Sequence, residues 1–425
     1  MVGERLARSG RLREEDIARL KGTAENAARV LGELRGLALK VGQTISYVDG
    51  ILPPDATEVY QKALAKLQSA APTVSFEEIR AEIERGLAKP LAEAFLTFDE
   101  APVAAASIGQ VHRATVKSEA GETVDVAVKV QYPGIARAVS SDLKNLEILR
   151  PVIAMLAPGA DTKAGMDEVV ARLSEELDYL RESRNQDRFS ELMRGYPDVR
   201  IPRVFHAQTA VNVLTTEYIH GRSIRDIAQD PDDELRNRVG IAIFRFTLGT
   251  AFSRGVFNTD PHPGNYIVRD DGEVAFLDFG SVKFLPDALR AEWRQLARCL
   301  VSGNVTEWRT RAAKLLGMEH MDPRARQIHQ DYMLQTAAVV AHNQEVLVDR
   351  HLIRQAADDG IASAKKLIRE VGILPTRGKT MRMPADFLMI GRMQIGLFAV
   401  LAQLRARANW NRILDEMLEK TANAD

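Results

Sequence analysis

The sequence predicts an α+β fold of two lobes, in which a small lobe with a β-sheet precedes a larger helical lobe, with further helices at both ends. Three observations support this. Helical spacing fills the first 95 or so residues, alternating β-branched segments begin near residue 96, and helical spacing dominates again after about residue 221. We therefore divide the chain into a helical extension, a small lobe, a larger lobe and a helical tail, with bounds 1–95, 96–220, 221–340 and 341–425.

The composition is that of an ordinary globular protein, with 45% hydrophobic residues among 425 and a formal net charge of −1. Such a balance lacks the basic footprint of nucleic-acid binding, so nucleic acid is not an expected partner.

The one cysteine, Cys299, excludes an internal disulfide, and no Cys/His cluster has zinc-binding spacing. Because residues 1–8 lack the apolar core of a signal peptide, the expected location is cytoplasmic. The oligomeric state is not predicted.

The elements of the small lobe follow from local patterns. Ser75 and Glu78 have the capping-box pattern of a helix start. Segments 111–116 and 124–130 alternate and are rich in β-branched residues, so they predict a hairpin around Gly121. Further strands are predicted at 211–218, 266–268 and 274–277, and helices at 142–155, 165–195, 231–254 and through most of the chain after about 287.

The strongest functional signal is the segment Asp260-Pro-His-Pro-Gly-Asn265 (the 260–265 loop), followed by Asp278-Phe-Gly280. Asp260 and Asn265 have the Asp-x-x-x-x-Asn spacing of kinase catalytic loops, and a later Asp-Phe-Gly supplies a metal ligand in such enzymes. The competing interpretation is a polar turn followed by an unrelated Asp-Phe-Gly. The paired spacing within one strand–turn–strand context favours the functional interpretation.

Phosphoryl transfer explains these residue types. Mg²⁺ prefers hard oxygen ligands, which Asn265 and Asp278 can supply, and Asp260 is then placed to orient or deprotonate an attacking hydroxyl. His262 could serve as a ligand or a base, but a hydrogen bond to the backbone between its two neighbouring prolines is the preferred interpretation.

Val126-Ala-Val-Lys129 matches the strand that carries the kinase ATP lysine, whose partner is a glutamate on a nearby helix. Residues 175–185 form a charged helical segment, and we expect Glu182 to be that partner. The alternative is a solvated helix face with ordinary i,i+4 pairs. The adenine-reading hinge is expected at Glu217, Tyr218 and Ile219, through backbone atoms.

A protein kinase would carry a glycine-rich loop before this lysine, whereas residues 103–110 read Val-Ala-Ala-Ala-Ser-Ile-Gly-Gln. Alanine resists the positive φ angles that glycine permits, so this loop has less conformational freedom. We expect it to cover the phosphates through backbone N–H groups. The alternative is that the alanines begin a helix.

Together these motifs resemble those of the UbiB/ADCK family of AarF-related atypical kinases. The resemblance covers residues 30 to about 285 and lies in Lys40-Val-Gly-Gln43, Ala104-Ala-Ala-Ser107, Glu176-Leu-Asp178 with Glu182, and Asp260-Pro-His-Pro-Gly-Asn265 with Asp278-Phe-Gly280. It implies a protein-kinase-like bilobal fold that binds ATP or ADP with Mg²⁺. The residues that would hold the metal are Asn265 and Asp278, and those that would be catalytic are Asp260, Lys129 and Glu182. The residues that would contact nucleotide are Ala104, Ala105, Ala106, Ser107, Lys129, Glu217, Ile219, Lys40, Gln43 and Glu176.

In that family the Lys-x-Gly-Gln helix covers the site where a peptide substrate would lie, so Lys40 would reach the nucleotide and pair with Glu176. This implies an ATPase or small-molecule kinase linked to isoprenoid or quinone lipids. Independently, only about six residues separate Gly280 from helical spacing, and Ala-Pro-Glu is absent, which argues against peptide phosphorylation. A nucleotide-gated module that binds a lipid or a protein, with negligible turnover, is the alternative function. A conventional protein kinase is the third hypothesis.

Many family members carry C-terminal transmembrane segments. The best candidate here, residues 387–404, contains Arg392 and Gln394. A charge near the middle of a span costs about 2.5–3.5 kcal/mol on insertion scales, so we expect a buried or interfacial helix. Whether this run and the N-terminal helices contact a lipid or membrane surface stays open at this point.

Overall fold

The computed structural model describes residues 74–106, 108–144, 175–371 and 385–422, and these form a mixed α+β fold as predicted. The helices are α1 (Phe76–Leu87), α2 (Leu91–Ala94), α3 (Ile135–Lys144), α4 (Tyr179–Leu192), α5 (Ile224–Ala228), α6 (Asp233–Arg254), α7 (Asp287–Val301), α8 (Val305–Leu315), α9 (Pro323–Thr336), α10 (Ala338–Ala341), α11 (Arg350–Val371), α12 (Ala385–Leu404) and α13 (Trp410–Ala422). The strands are β1 (Thr97–Phe98), β2 (Ala104–Ala105), β3 (Gly109–Lys117), β4 (Thr123–Gln131), β5 (Val199–Arg200), β6 (Val213–Glu217), β7 (Arg222–Ser223), β8 (Val256–Asn258), β9 (Tyr266–Val268), β10 (Val274–Phe276), β11 (Val282–Phe284), β12 (Val346–Leu347) and β13 (Arg407–Ala408).

The chain divides into two compact units. The first contains the described residues up to Arg188, with Pro202–Tyr218 and Phe279–Ser281, and the second contains Phe189–Ile201, Ile219–Asp278 and the described residues from Val282 onward. The four-part division expected from the sequence stays a prediction.

An antiparallel sheet forms the centre of the first unit. Its strands lie in the order β1-β3-β4-β6, and β2 pairs with β3. Val126, Val128 and Val130 on β4 are fully buried in the core of this unit. The side chain of Lys129 therefore leaves the sheet on the opposite face, because successive strand residues point to opposite faces.

Helix α1 begins where the sequence predicts it. The Ser75 side chain accepts from the Glu78 N–H while Glu78 Oε2 accepts from the Ser75 N–H, so the capping box is present. Ile79 and Ile83, one turn apart, are fully buried in the core that β4 also lines. The helix is thus fixed by its cap and by one apolar stripe.

The second unit combines small sheets with long helices. One sheet has the order β5-β10-β9-β7, and β8 pairs with β11. Phe246 of α6 stacks on Phe276 of β10 with ring centroids 3.7 Å apart, and Phe189 lies 5.3 Å from Phe246. This aromatic core holds the β9–β10 hairpin against α6.

Residues 387–404 lie in α12, which packs against α5, α6 and α11. Met393, Leu397, Val400 and Leu401 are fully buried, so one face of the helix expected to be buried or interfacial lies in the core, while Ile395 is exposed. Within the described ranges, no helix combines the length and apolar character needed to cross a bilayer.

The predicted β3–β4 hairpin, the β9–β10 hairpin and α6 are confirmed, whereas several two- and three-residue strands were not predicted. Residues 1–73, which make up most of the expected helical extension, lie outside the described residues, as do residues 145–174, which contain most of the helix expected at 142–155.

Candidate functional site

Lys129 and Glu182 form an ion pair in the first unit. Lys129 Nζ lies 2.9 Å from both carboxylate oxygens of Glu182, so one ammonium group serves both acceptors. The Glu182 side chain is only 2% exposed, and that of Lys129 is 22% exposed. A buried carboxylate of this kind needs a charged partner. Lys129 thus has the glutamate partner that the sequence predicted, while the role of this ion pair in binding ATP stays a prediction.

Three contacts fix the helix that carries Glu182. Asp178 precedes α4, and its Oδ1 accepts from the Arg181 N–H at 3.0 Å, as an N-cap does. The Tyr179 N–H donates to the Val211 carbonyl at 3.0 Å, and Gln131 Nε2 on β4 donates to the Leu177 carbonyl at 2.8 Å. The helix start is therefore attached to the same strand that carries Lys129.

The alanine-rich segment forms a tight hairpin. Ala104 lies opposite Val111 and Ala105 opposite Gln110 in the β2–β3 pair, so the alternative that these alanines begin a helix is wrong. The Ala106 N–H donates to the Gly109 carbonyl at 2.8 Å, which closes the turn. Ala104 and Ala105 are exposed, and Ser107 lies outside the described residues. Coverage of phosphates by this loop stays a prediction.

A buried histidine lies on β3, the second strand of that hairpin. His112 Nδ1 is 2.8 Å from the Asp99 carbonyl, and its Nε2 is 2.8 Å from Gln110 Nε2. Neutral imidazole with its proton on Nδ1 satisfies both contacts, because Nε2 then accepts from the amide. Burial lowers the pKa of His112, and the Asp99 carbonyl only partly opposes this effect. The sequence analysis did not identify His112.

In the second unit, the 260–265 loop is held by its own polar groups. Asn258 Oδ1 accepts from the Asp260 N–H at 2.8 Å, and Asn265 Nδ2 donates to the Asp260 carbonyl at 3.0 Å. His262 Nδ1 accepts from the Gly264 N–H at 3.0 Å, which is the backbone hydrogen bond expected for it. These bonds hold the backbone at Asp260, whose side chain is mostly buried.

Backbone pairing brings the two predicted metal ligands close together. Tyr266 lies opposite Phe276 in the β9–β10 hairpin, so Asn265 and Asp278 flank the same end of it. The Leu277 N–H donates to the Asn265 carbonyl at 2.9 Å, and Asn258 Nδ2 donates to the Asp278 carbonyl at 2.6 Å.

The oxygen donors fit Mg²⁺. Because the Asn265 amide nitrogen faces the Asp260 carbonyl, its Oδ1 is directed away from that bond. Together with the carboxylate of Asp278, it offers the hard oxygens that Mg²⁺ takes in combination with phosphate and water.

The segment after Asp278 has a contact that sequence reasoning missed. Asn185 Nδ2, one turn beyond Glu182 on α4, donates to the Phe279 carbonyl at 2.9 Å, and Phe279 is fully buried. Asn185 ends the charged segment at 175–185 and Asn258 precedes the 260–265 loop by two residues, but no local pattern assigned either of them a role. A polar residue three positions after Glu182, on the same helix face, was the available signal.

The residues expected at the hinge lie at the end of β6. The Glu217 N–H donates to the Arg203 carbonyl at 2.8 Å, and the Tyr218 N–H donates to the Asp125 carbonyl at 3.0 Å. Glu217 belongs to the first unit and Ile219 to the second. Adenine recognition there stays a prediction.

The Lys-x-Gly-Gln residues Lys40 and Gln43 lie outside the described residues. Their expected target, Glu176, is half-buried just before α4, next to Glu175, which pairs with Arg181 at 2.8 Å. The Lys40–Glu176 pair therefore stays a prediction.

Comparison with known proteins supplies the family context. The ABC1 atypical kinase-like domain matches residues 66–311. AarF domain-containing protein kinase 1 of Mus musculus is 32% identical over 298 residues, which cover 68% of this chain and 55% of that protein. A probable serine/threonine-protein kinase of Dictyostelium discoideum, abkB, is 31% identical over 302 residues, with 67% and 44% covered. The chain thus spans about half the length of these curated relatives.

One solved structure covers nearly the whole chain. It is the complex of Rv3197 with erythromycin from Mycobacterium tuberculosis, which is 30% identical, aligns with a TM-score of 0.65, and is matched over 95% of this chain and 98% of that one. The likeness extends beyond residue 311, so it includes the helices of the tail.

Proposed function

This chain belongs to the ABC1, or UbiB/ADCK, family of atypical kinase-like proteins, and from that premise we propose that it binds Mg-ATP and transfers the γ-phosphoryl group to water or to a small molecule. Lys129 contacts the α- and β-phosphates, and Glu182 holds its ammonium group in place. Asn265 and Asp278 hold Mg²⁺, which neutralises charge on the phosphate oxygens when bound. Asp260 orients the attacking hydroxyl or accepts its proton.

The observation that carries this proposal is the hydrogen bond from the Leu277 N–H to the Asn265 carbonyl. It joins the 260–265 loop to the residue before Asp278, so the two metal-binding side chains start from adjacent backbone. Phosphoryl transfer depends on positioning and on electrostatic stabilisation, and both require fixed ligands. This pairing continues the β9–β10 hairpin by one residue pair, and it is the proximity that the functional interpretation of Asp-Phe-Gly requires.

The segment after Asp-Phe-Gly supports an acceptor other than a peptide. Gly280 and Ser281 are followed at once by β11, and α7 begins at Asp287. Only Leu285 and Pro286 lie between β11 and α7, which is too few residues for a long peptide-docking segment. Because relatives are named protein kinases, peptide phosphorylation is the competing outcome, and it predicts transfer of labelled phosphate to many proteins in a lysate.

We further propose that the acceptor, or an effector of turnover, is an isoprenoid or quinone-like lipid. This link rests on the family resemblance. A relative of Arabidopsis thaliana, 34% identical over 275 residues, is named Activity of bc1 complex kinase 3, chloroplastic. In that case, binding to an anionic lipid surface should accelerate phosphate release from ATP.

A second candidate is a nucleotide-gated binding module with negligible turnover. The observation favouring it is the erythromycin complex of a structural relative that matches 95% of this chain. A protein similar to this chain along its length is therefore described as binding a small molecule, erythromycin. In this candidate, ATP or ADP changes the affinity for such a ligand and little phosphate is released.

Phosphate release from Mg-ATP separates the two candidates. We would measure wild type and Asp278→Asn, with and without liposomes containing anionic lipid. The enzyme proposal expects release by wild type, a loss of about a hundredfold or more in Asp278→Asn, and stimulation by the liposomes. Nucleotide binding without release in any condition would favour the binding module.

A further inference from the structure

Helix α12 lies unusually close to the 260–265 loop. Gly396 is buried on this helix, and a β-carbon at that position would lie 2.4 Å from Pro261 Cγ and 3.2 Å from Pro261 Cδ. Real β-carbons essentially never approach another heavy atom within 3.0 Å. Only a glycine hydrogen fits between the helix backbone and the proline ring.

Pro261 directly follows a carbonyl group that accepts two hydrogen bonds within the loop. The carbonyl of Asp260, the residue before it, accepts from the His262 N–H at 2.8 Å and from Asn265 Nδ2 at 3.0 Å. The Pro261 ring is bonded back to its own backbone nitrogen and can yield only by a change of pucker, so a push on both Cγ and Cδ is passed largely to the backbone. A displaced Pro261 would therefore shift both Asp260 and the Asn265 amide.

Helix α12 is a rigid element from which to apply such a constraint. Met393 and Leu397, on either side of Gly396, are fully buried, and so are Val400 and Leu401. Leu401 also lies against Gly240 of α6, where a β-carbon would be 3.3 Å from Leu401 Cδ2. Because protein interiors are close-packed, α12 cannot move aside to accommodate an added methyl group at Gly396. The strain therefore passes to the neighbour of that methyl group, the Pro261 ring.

We propose that α12 positions the 260–265 loop, with Gly396 and Pro261 as its point of contact. Gly396 is thus a positioning residue for the phosphoryl-transfer reaction, and this inference rests on the proposed function. The apolar run at 387–404, which the sequence offered only as core or membrane surface, then acts through the geometry of Asp260 and Asn265.

The first test replaces Gly396 by alanine and uses Gly391→Ala as its matched control. Gly391 lies on the same helix, and a β-carbon there would meet nothing within 4 Å. Both changes favour the helix by the same propensity. We expect Gly396→Ala to lower kcat for phosphate release by about ten- to a hundredfold, since small misplacements cost that much. Gly391→Ala should stay within about twofold. Equal effects of the two variants would overturn the proposal.

A second variant tests whether the contact itself is responsible. Pro261→Ala removes the Cγ and Cδ atoms that the new methyl group would meet and keeps Cβ, which lies 3.5 Å away. In the Pro261→Ala background, Gly396→Ala should therefore cost little additional activity, whatever Pro261→Ala costs by itself. An undiminished loss in that background would show that Gly396 acts through something other than Pro261.

Hydrogen exchange provides a readout that needs no turnover. The N–H groups of His262 and Asn265 are bonded within the loop, at 2.8 and 2.9 Å. We expect faster exchange in peptides covering residues 259–266 of Gly396→Ala, with Gly391→Ala like wild type. If wild type releases no phosphate, the proposed function fails while this comparison still tests the positioning. Unchanged exchange in Gly396→Ala would overturn it.

Discussion

At the scale of single residues, Lys129 and Glu182 show how a structural need and a chemical one coincide. Glu182 is almost completely buried, so it must have a cationic partner whether or not nucleotide is present. Lys129 Nζ also lies 4.9 Å from the Tyr179 ring centroid, which is a favourable cation–π distance. The ammonium group is thus held by the protein itself, without a contribution from nucleotide.

Separating the two roles needs a double replacement. Lys129→Met leaves the Glu182 carboxylate buried without its partner, so we expect a loss on the order of 3 kcal/mol in the free energy of unfolding. Lys129→Met with Glu182→Leu removes both charges and should recover most of that loss in urea titrations. It should not recover ATP affinity. Restored nucleotide binding in the double variant would show that Lys129 has no role at the phosphates.

His112 makes the stability depend on pH. Burial lowers its pKa in the folded chain below the ordinary value of 6.5, so the folded state binds fewer protons than the unfolded state. The contribution of neutral His112 to the free energy of unfolding is fully present above about pH 6.5 and is lost as the pH falls through the lowered pKa.

The test is the slope of unfolding free energy against pH from about 7 to about 5. Wild type should lose stability more steeply than His112→Gln, which cannot titrate. Burial also lowers the pKa of His329, so His329→Gln should remove a separate part of the slope. Parallel curves for wild type and His112→Gln would contradict the assignment.

At the scale of elements, the first turns of α4 make several of the side-chain contacts of the first unit. Asp178 caps it, Glu182 pairs with Lys129, and Asn185 holds the Phe279 carbonyl. One helix therefore connects the lysine strand with Phe279 through side chains spaced three and four residues apart. A shift of this helix would move both contacts together.

Two adjacent amides on α4 allow a matched comparison. Asn185 Nδ2 donates to the Phe279 carbonyl, and Gln186 Nε2 donates to the Pro202 carbonyl at 2.6 Å. Replacing either by alanine leaves a carbonyl without that donor and should cost about 1–3 kcal/mol of stability. We expect only Asn185→Ala to raise the Mg²⁺ concentration needed for half-maximal phosphate release, because its partner follows Asp278 directly. Equal Mg²⁺ dependence in both variants would contradict this.

The elements that the sequence predicts are those with a local pattern. Alternating β-branched residues mark β3 and β4, and the Ser75–Glu78 pair marks the start of α1, because periodicity and capping are properties of neighbouring residues. Strands β5, β8 and β11, which were not predicted, have only two or three residues and are too short to show a period. They form because distant segments supply the hydrogen-bond partners.

The site shows the same division. Lys129, Asp260, Asn265 and Asp278 are identifiable from motifs whose spacing the chemistry requires. The contact of Gly396 with Pro261 joins positions far apart in the sequence, and no local pattern encodes it. Such residues are found only once packing is known.

At the scale of the whole molecule, the family motifs occur on both compact units. The lysine and its glutamate belong to the first, and the 260–265 loop and Asp278 belong to the second. The tail adds α11 to α13, and α12 is buried within the second unit. The apolar character of residues 387–404 is thus explained by packing.

Binding of a nucleotide to the folded chain should raise its thermal stability. With Mg-ADP at about a hundredfold excess over Kd, linkage predicts a gain of about 2.7 kcal/mol, visible as an increase in Tm. ADP with EDTA should give a smaller increase, because Asn265 and Asp278 act through the metal. Equal increases with and without Mg²⁺ would exclude a metal-bridged nucleotide.

The most direct test of the central claim is calorimetric titration of Mg-ATP into wild type and Asp278→Asn under identical conditions. We predict saturable binding by wild type that weakens strongly when Mg²⁺ is removed, and binding by Asp278→Asn that is weak with or without the metal. Equal affinity of the two proteins for Mg-ATP, or no binding by folded wild type, would contradict the assignment of this chain as an Mg-ATP-dependent phosphotransferase.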